Sequence, residues 1–167
     1  MPASTRLHAE IDLSEGVVTV RLAYKMEYRN PVSEKSAVEL IPYSSIYQEE
    51  YKRAYNEAFH EMREALGKEP VDFIQDDSFF ESGMDAVFLL TDKAGMVLGS
   101  VALKDEIDDL FVTKDYQGRG IGKQILLWAI ERFPSERIAL HVSEWNEKAI
   151  RLYQDMGFEI VETIVIG

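Results

Sequence analysis

The 167-residue chain contains no cysteine, which removes disulfides, zinc–thiolate centres and thiol nucleophiles at once. Histidine is scarce as well: His8, His60 and His141 lie far apart without ligand spacing, so no metal centre is expected. No apolar run approaches the roughly 18 residues that a membrane-spanning helix needs. The opening MPASTRLHAEIDL also lacks the apolar stretch of a signal peptide. The expectation is a cytoplasmic protein with no membrane partner. Basic residues are outnumbered too: 18 Lys and Arg against 30 Asp and Glu leave a net charge of −12. Such a balance argues against a nucleic-acid-binding surface.

What is present is ordinary globular material, 46% hydrophobic and 29% charged, in a length that suits one domain with its own core. The acid is unevenly spread. Glu69 to Asp92 holds seven acids and no Lys or Arg, and Lys104-Asp105-Glu106-Ile107-Asp108-Asp109 adds four acids against one base. Two readings stand side by side: plain solubility, or a mouth that draws in cationic substrates such as amines.

Periodicity gives the elements. Gly16 to Arg29 places Val18, Val20, Leu22, Tyr24, Met26 and Tyr28 on one face, which predicts a strand. Arg6 to Leu13 alternates more weakly, and Ser14-Glu15-Gly16 would join the two as a hairpin. Ala37 to Pro42 reads as a short strand. Ser45 with Gln48 reads as a capping box opening a helix that carries Tyr51, Tyr55, Phe59, Met62 and Leu66 and stops at Gly67. Asp72 to Gly83 reads as loop or broken helix. Strands follow at Ala86–Thr91, Met96–Lys104 and Ile107–Thr113. A helix with the stripe Ile121, Ile125, Trp128, Ala129 then ends at Phe133-Pro134. Strand Arg137–Val142, helix Asn146–Met156 and strand Phe158–Ile166 complete the order, which implies an α/β (α+β) mixed sheet covered by helices.

Between a strand and a helix stands Val112-Thr113-Lys114-Asp115-Tyr116-Gln117-Gly118-Arg119-Gly120-Ile121-Gly122-Lys123-Gln124. Three glycines at alternate positions are costly in a helix start. The unpaired N–H groups of a first helical turn, with the positive end of the helix dipole, form an anion site that glycines let a diphosphate approach. A Walker A loop is excluded, because Gln117 stands where its first Gly belongs and Gln124 where Ser or Thr would hold magnesium. The dinucleotide fingerprint fails on spacing. The pattern Q/R-x-x-G-x-G/A fits Gln117 to Gly122 throughout. Close strand–helix packing would be the purely structural use of the same glycines.

On this motif the chain resembles the GNAT acyltransferases, which bind acetyl-CoA. Ile107 to Val112 with Thr113 to Tyr116 is similar to that family's fourth core strand and its turn. Asn146-Glu147-Lys148-Ala149-Ile150-Arg151-Leu152-Tyr153-Gln154-Asp155-Met156-Gly157-Phe158 matches its second signature, N-x-x-A-x-x-L-Y-x-x-x-G-F, at every fixed position. The resemblance covers about Ala37 to Ile166. It implies a GNAT-like, mostly antiparallel sheet flanked by helices over residues 35–167, with residues 1–34 as an added N-terminal β-hairpin. That hairpin would extend the sheet, cover an edge or pair with a second subunit in a homodimer.

The resemblance also implies roles. Acetyl-CoA is the co-substrate, its thioester beside the strand where a backbone N–H near Leu110, Phe111 and Val112 polarises the carbonyl. Its diphosphate rests on Gln117, Gly118, Arg119, Gly120, Ile121, Gly122 and Lys123, with Arg119 and Lys123 as local positive charge. Asn146 is a ligand contact or simply a helix cap. Tyr153, two helical turns after Asn146, is the implied general acid for the departing thiolate, and its structural alternative is a core aromatic on a stripe with Ala149 and Met156. For the base, Glu106 and Asp108 are the candidates. Asp109 would point the other way unless a bulge intervenes. Asp72, Asp76, Asp77 and Glu81 are candidates to face an ammonium group, and Phe73, Phe79 and Phe80 are either pocket lining or core. The acceptor is then a small-molecule or peptide amine. Two function classes remain: an N-acetyltransferase acting by direct attack in a ternary complex, and a non-catalytic acyl-CoA-binding module.

Overall fold

The computed structural model describes residues 10–12, 17–19 and 21–166. Contacts divide the chain into two compact units, residues 33–136 and residues 1–32 with 137–167. Among the described residues no helix is long and apolar enough to cross a membrane.

In the unit formed by the two chain ends, β1 (Glu10–Asp12) pairs antiparallel with β2 (Val17–Thr19), Glu10 facing Thr19. The turn expected at residues 14–16 lies outside the described residues, as does the start of the first expected strand. The alternating run Gly16–Arg29 forms β2 and β3 (Arg21–Tyr28). Strand β3 is the centre of a three-stranded antiparallel sheet, between β8 (Ala139–Ser143) and β9 (Phe158–Ile166). Its Leu22, Tyr24 and Met26 are buried and alternate with half-buried neighbours, the period-two pattern of a strand with one face inward. Helix α3 (Glu147–Asp155) packs on β9.

The unit Ser33–Glu136 holds a four-stranded antiparallel sheet in the order β4 (Ile41–Pro42), β5 (Val87–Thr91), β6 (Val97–Leu103), β7 (Ile107–Val112). Its register sorts the side chains. Val87 faces Ala102 and Phe111 faces Ser100, and these positions, with Leu89, pack against Tyr51, Ala54 and Tyr55 of α1 (Gln48–Ala65). Phe88, facing Val101, points to the other side, where its ring lies 5.1 Å from Trp128 of α2 (Ile121–Arg132). The sheet is therefore covered by α1 on one face and α2 on the other. Residues 125–129 of α2 are all buried, so this helix is enclosed well beyond the single stripe its spacing predicts.

The expected antiparallel strands flanked by helices are observed, with the strands shared among three sheets. Three local expectations need correction. Only Ile41–Pro42 of Ala37–Pro42 is strand. The capping box does not form: Ser45 lies inside a 3₁₀ turn, Ser45–Tyr47, and α1 begins after Tyr47 without a side-chain cap, because a residue already in a tight turn cannot offer its oxygen to the next one. The acidic stretch before β5 contains 3₁₀ turns at Asp77–Glu81 and Met84–Ala86.

Candidate active site

The glycine motif lies where the sequence places it, between β7 and α2. A 3₁₀ turn, Lys114–Tyr116, follows Thr113, and Gln117 turns its side chain back so that Nε2 donates to the Val112 carbonyl at 2.9 Å. Gly118 and Gly120 have φ of +77° and +80°, a left-handed conformation that residues with a Cβ pay to adopt. Gly120 is the N-cap of α2. No side chain caps the helix, and its first turn holds no acid. The first-turn N–H groups are thus left for an anion from outside the helix.

The same glycines answer the packing alternative. A Cβ at Gly118 or Gly120 would meet nothing within 4 Å, so neither is glycine to let helix and strand close together. Gly157 shows the contrast: its Cβ would fall 2.0 Å from the Asn30 carbonyl oxygen. The motif's glycines keep an exposed, open turn.

The two basic residues of the motif differ. The Arg119 guanidinium lies 5.0 Å from the centre of the Tyr116 ring, held by cation–π attraction at the surface. Lys123 is paired through Nζ with Glu34 Oε1 at 3.0 Å, so its charge is shared with a carboxylate of the same unit. Ile121 and Gly122 form the half-buried start of α2.

Strand β7 ends its sheet, pairing within it only with β6. Leu110, Phe111 and Val112 are half-buried, buried and half-buried, with Val112 facing Gly99. The register breaks just before them. Asp108 faces Ala102 and Phe111 faces Ser100, which leaves Asp109 and Leu110 opposite the one residue Val101. Two residues against one is a β-bulge, and Asp109 carries its mark, a φ of +46°.

The bulge reorders the carboxylates. Glu106 stands in the β6–β7 turn, where its carbonyl accepts from the Lys104 N–H at 3.0 Å. Asp108 is exposed, and its Oδ1 accepts from the Asp109 N–H at 2.9 Å. Asp109 instead turns toward α1, where the Tyr55 hydroxyl donates to its Oδ1 at 3.3 Å. Burial, then the Asp108 charge, pushes the Asp109 carboxyl up from 3.8 to about 6, with Lys104 and the Tyr55 hydrogen bond acting the other way. Asp109 in turn helps burial to raise the Tyr51 and Tyr55 phenols.

Around this carboxylate the rings of Tyr51, Tyr55, Phe59 and Phe111 lie 4.7 to 5.9 Å apart in successive contacts. Phe73 and Phe79 join them, each with a ring centre within 6.2 Å of that of Tyr55. Of the acids considered for an ammonium group, Asp76 caps the 3₁₀ turn at Ser78, Asp72 pairs with His60, and Asp77 and Glu81 are exposed. Periodicity alone missed Asp109, and the signal that could have found it is a third acid in a run, Ile107-Asp108-Asp109-Leu110, that cannot keep every acid on a solvated face.

In the other unit, Asn146 Oδ1 accepts from the Ala149 N–H at 3.3 Å and caps α3. Tyr153 is buried, its ring 6.0 Å from that of Phe158, and burial pushes its phenol up to about 12.

Comparison with known proteins places this geometry. The profile of the Acetyltransferase (GNAT) family matches residues 43–158. A spermine/spermidine N(1)-acetyltransferase of Bacillus subtilis (strain 168) is 42% identical over 57 residues, 32% of this chain and 38% of that protein. The peptidyl-lysine N-acetyltransferase YjaB of Salmonella typhimurium is 34% identical over 56 residues, 34% of this chain and 37% of that one. The chain thus matches less than two fifths of the length of these relatives. Among solved structures, a GNAT-family acetyltransferase from Colwellia psychrerythraea superposes with a TM-score of 0.67 at 12% identity, over 87% of this chain and 54% of that one. A GCN5-related N-acetyltransferase from Sphaerobacter thermophilus gives 0.60 at 18% identity, over 87% and 50%. With a profile match running from Tyr43 to Phe158 across both signature motifs, the chain belongs to the Acetyltransferase (GNAT) family.

Proposed function

We propose that this chain is an N-acetyltransferase that moves an acetyl group from acetyl-CoA to a primary amine by direct attack in a ternary complex. The observation that carries the reading is the mouth of α2: left-handed Gly118 and Gly120, no side-chain cap, no acid in the first turn and open space where side chains would stand. These features fit a diphosphate, which needs several N–H donors and room for its oxygens. Acetyl-CoA supplies the activated acyl group. The residues for the rest are Gln117 to Lys123 for the diphosphate and a backbone N–H near Leu110 to Val112 for the carbonyl oxygen. Asn146 is a further contact.

Tyr153 is proposed as the donor to the sulfur. Burial keeps its phenol protonated, which suits a hydrogen-bond donor to a developing thiolate. A phenol at about 12 is a weaker acid than a free thiol at about 8.5, so its main help is donation while the C–S bond breaks. Tyr153→Phe should lower kcat by about 10-fold or more and leave acetyl-CoA binding within about twofold. An unchanged kcat removes the role.

Relatives named for spermine, spermidine and peptidyl-lysine support an alkylamine acceptor, and so does the net charge of −12. The test is thiol release from acetyl-CoA with spermidine, a lysine peptide and phenethylamine, beside a thermal-shift titration with acetyl-CoA. Binding with amine-dependent release is expected. Binding without release on any of them would mark a non-catalytic acyl-CoA-binding module.

A further inference from the structure

We propose that Asp109, turned out of the β7 pleat by the bulge, is the carboxylate that receives the acceptor ammonium and takes its proton. This rests on the acetyl-transfer reading above, and it assigns to Asp109 the base that the sequence leaves between Glu106 and Asp108.

Four observations lead there. The bulge gives Asp109 a left-handed backbone, rare outside glycine and asparagine, and it turns the side chain toward α1 rather than leaving it solvated like Asp108. Tyr55 holds one carboxylate oxygen, which fixes the group's direction and leaves further lone pairs for a ligand. The neighbouring residue is Leu110, the first backbone donor proposed for the thioester carbonyl. Adjacent Cα atoms are about 3.8 Å apart, so the base and the oxyanion donor belong to one turn of chain. Finally, the surrounding rings of Tyr51, Tyr55, Phe59 and Phe111 offer faces that attract an alkylammonium and exclude an anion.

The competing acids are occupied differently. The Asp108 carboxylate accepts from the Asp109 amide and is solvated, and Glu106 belongs to the turn before the strand. The groups acting on Asp109 are Asp108 and Lys104 from β7 and the preceding turn, and Tyr55 and Tyr51 from α1. Their balance leaves a carboxylate that titrates near 6, ionised at neutral pH and more basic than an ordinary aspartate, which is what a general base needs.

The step balances. An ammonium N–H proton passes to the Asp109 carboxylate, and the freed nitrogen lone pair forms the C–N bond at the thioester carbonyl. The second amine proton leaves to solvent as the amide forms. The C–S bond breaks with its electron pair going to sulfur, which gains a proton from the Tyr153 hydroxyl. Solvent then restores Tyr153 and removes the proton from Asp109.

The experiment is the pH profile of kcat/KM for acetyl-CoA with spermidine, a lysine peptide and phenethylamine, on the full chain. Wild type is compared with Asp109→Asn, Asp108→Asn, Glu106→Gln and the exposed control Asp105→Asn. Asparagine tolerates the left-handed backbone and can still accept from Tyr55, and acetyl-CoA thermal shifts monitor the fold and co-substrate site of each variant. The expected result is an acidic limb near pH 6 in wild type. Asp109→Asn should remove that limb and lower kcat/KM about 100-fold at pH 7.5, with the acetyl-CoA shift kept. Asp105→Asn should stay within about twofold. If Asp109→Asn keeps the rate and the limb while Asp108→Asn or Glu106→Gln loses them, the proposal is overturned and acetyl transfer stands. If wild type binds acetyl-CoA but turns over none of the three amines, the transfer reading fails and the proposal falls with it.

Discussion

A single aspartate illustrates how the backbone sets chemistry at the residue scale. In a regular β7, Asp109 would be one more acid on a charged strand start. The bulge opposite Val101 gives it a partner on α1 and a buried setting instead. That setting has a thermodynamic signature. The Asp109 carboxyl rises from 3.8 to about 6 on folding, so between those values the folded state binds more protons than the unfolded one. Stability therefore falls as pH rises through about 4 to 6 and stays lowered above it, by an order-of-magnitude 1–3 kcal/mol. Asp109→Asn removes the charge. It should raise Tm by about 2–6 °C at pH 8 and by nothing measurable below pH 4, as followed by calorimetry. A variant equally or less stable at pH 8 would contradict the burial of a charged Asp109. Tyr55→Phe should move the acidic limb of kcat/KM to higher pH, since the lost hydrogen bond lowers the Asp109 value in wild type.

At the scale of elements, the Gln117–Gly122 motif was legible from the sequence because its glycines answer a local need that does not depend on distant partners. Gly120 sits at +80° as the cap of α2, and replacing it by alanine sets a Cβ against that backbone. The cost of a left-handed alanine is about 1–2 kcal/mol, and relaxing it would rotate the first-turn amides. Gly120→Ala should therefore weaken acetyl-CoA about 10-fold or more, measured by titration calorimetry, while lowering Tm by only a few degrees. Affinity unchanged in that variant would mean that the amides are not the grip. Asn146 was legible for the same local reason, as a side chain that caps the helix it begins. What resisted reading was decided across strands or by neighbours. The bulge at Asp109 exists only in register with Val101, Ser45 lost its capping role to a 3₁₀ turn, and Ala37–Pro42 found a ladder partner in β5 for two residues only. The alternation in Gly16–Arg29 announced extended chain correctly. It could not announce that β3 would lie between two strands from the far end of the sequence, because pairing across more than a hundred residues leaves no local period.

For the whole molecule, the excess of acid and the position of the basic groups make opposite demands. Acetyl-CoA is an anion, and the chain carries −12. Its local donors must win at short range, where salt screens distant charges beyond roughly 10 Å. A cationic acceptor gains from the same field. The KM for spermidine should rise about 3- to 10-fold between 50 mM and 500 mM salt, and that for singly charged phenethylamine distinctly less. Equal salt responses would separate the acid from acceptor capture and leave it a role in solubility.

The central claim is that α2 begins with amides arranged for a pyrophosphate, and that this grip holds the thioester for transfer. Titration calorimetry of the full chain with CoA and with pantetheine, which has the same arm and no diphosphate, tests it most directly. Two or three charge-assisted hydrogen bonds at about 1.5 kcal/mol or more each predict that CoA binds at least about 100-fold more tightly than pantetheine. Equal affinities, or no heat with either ligand, would contradict it.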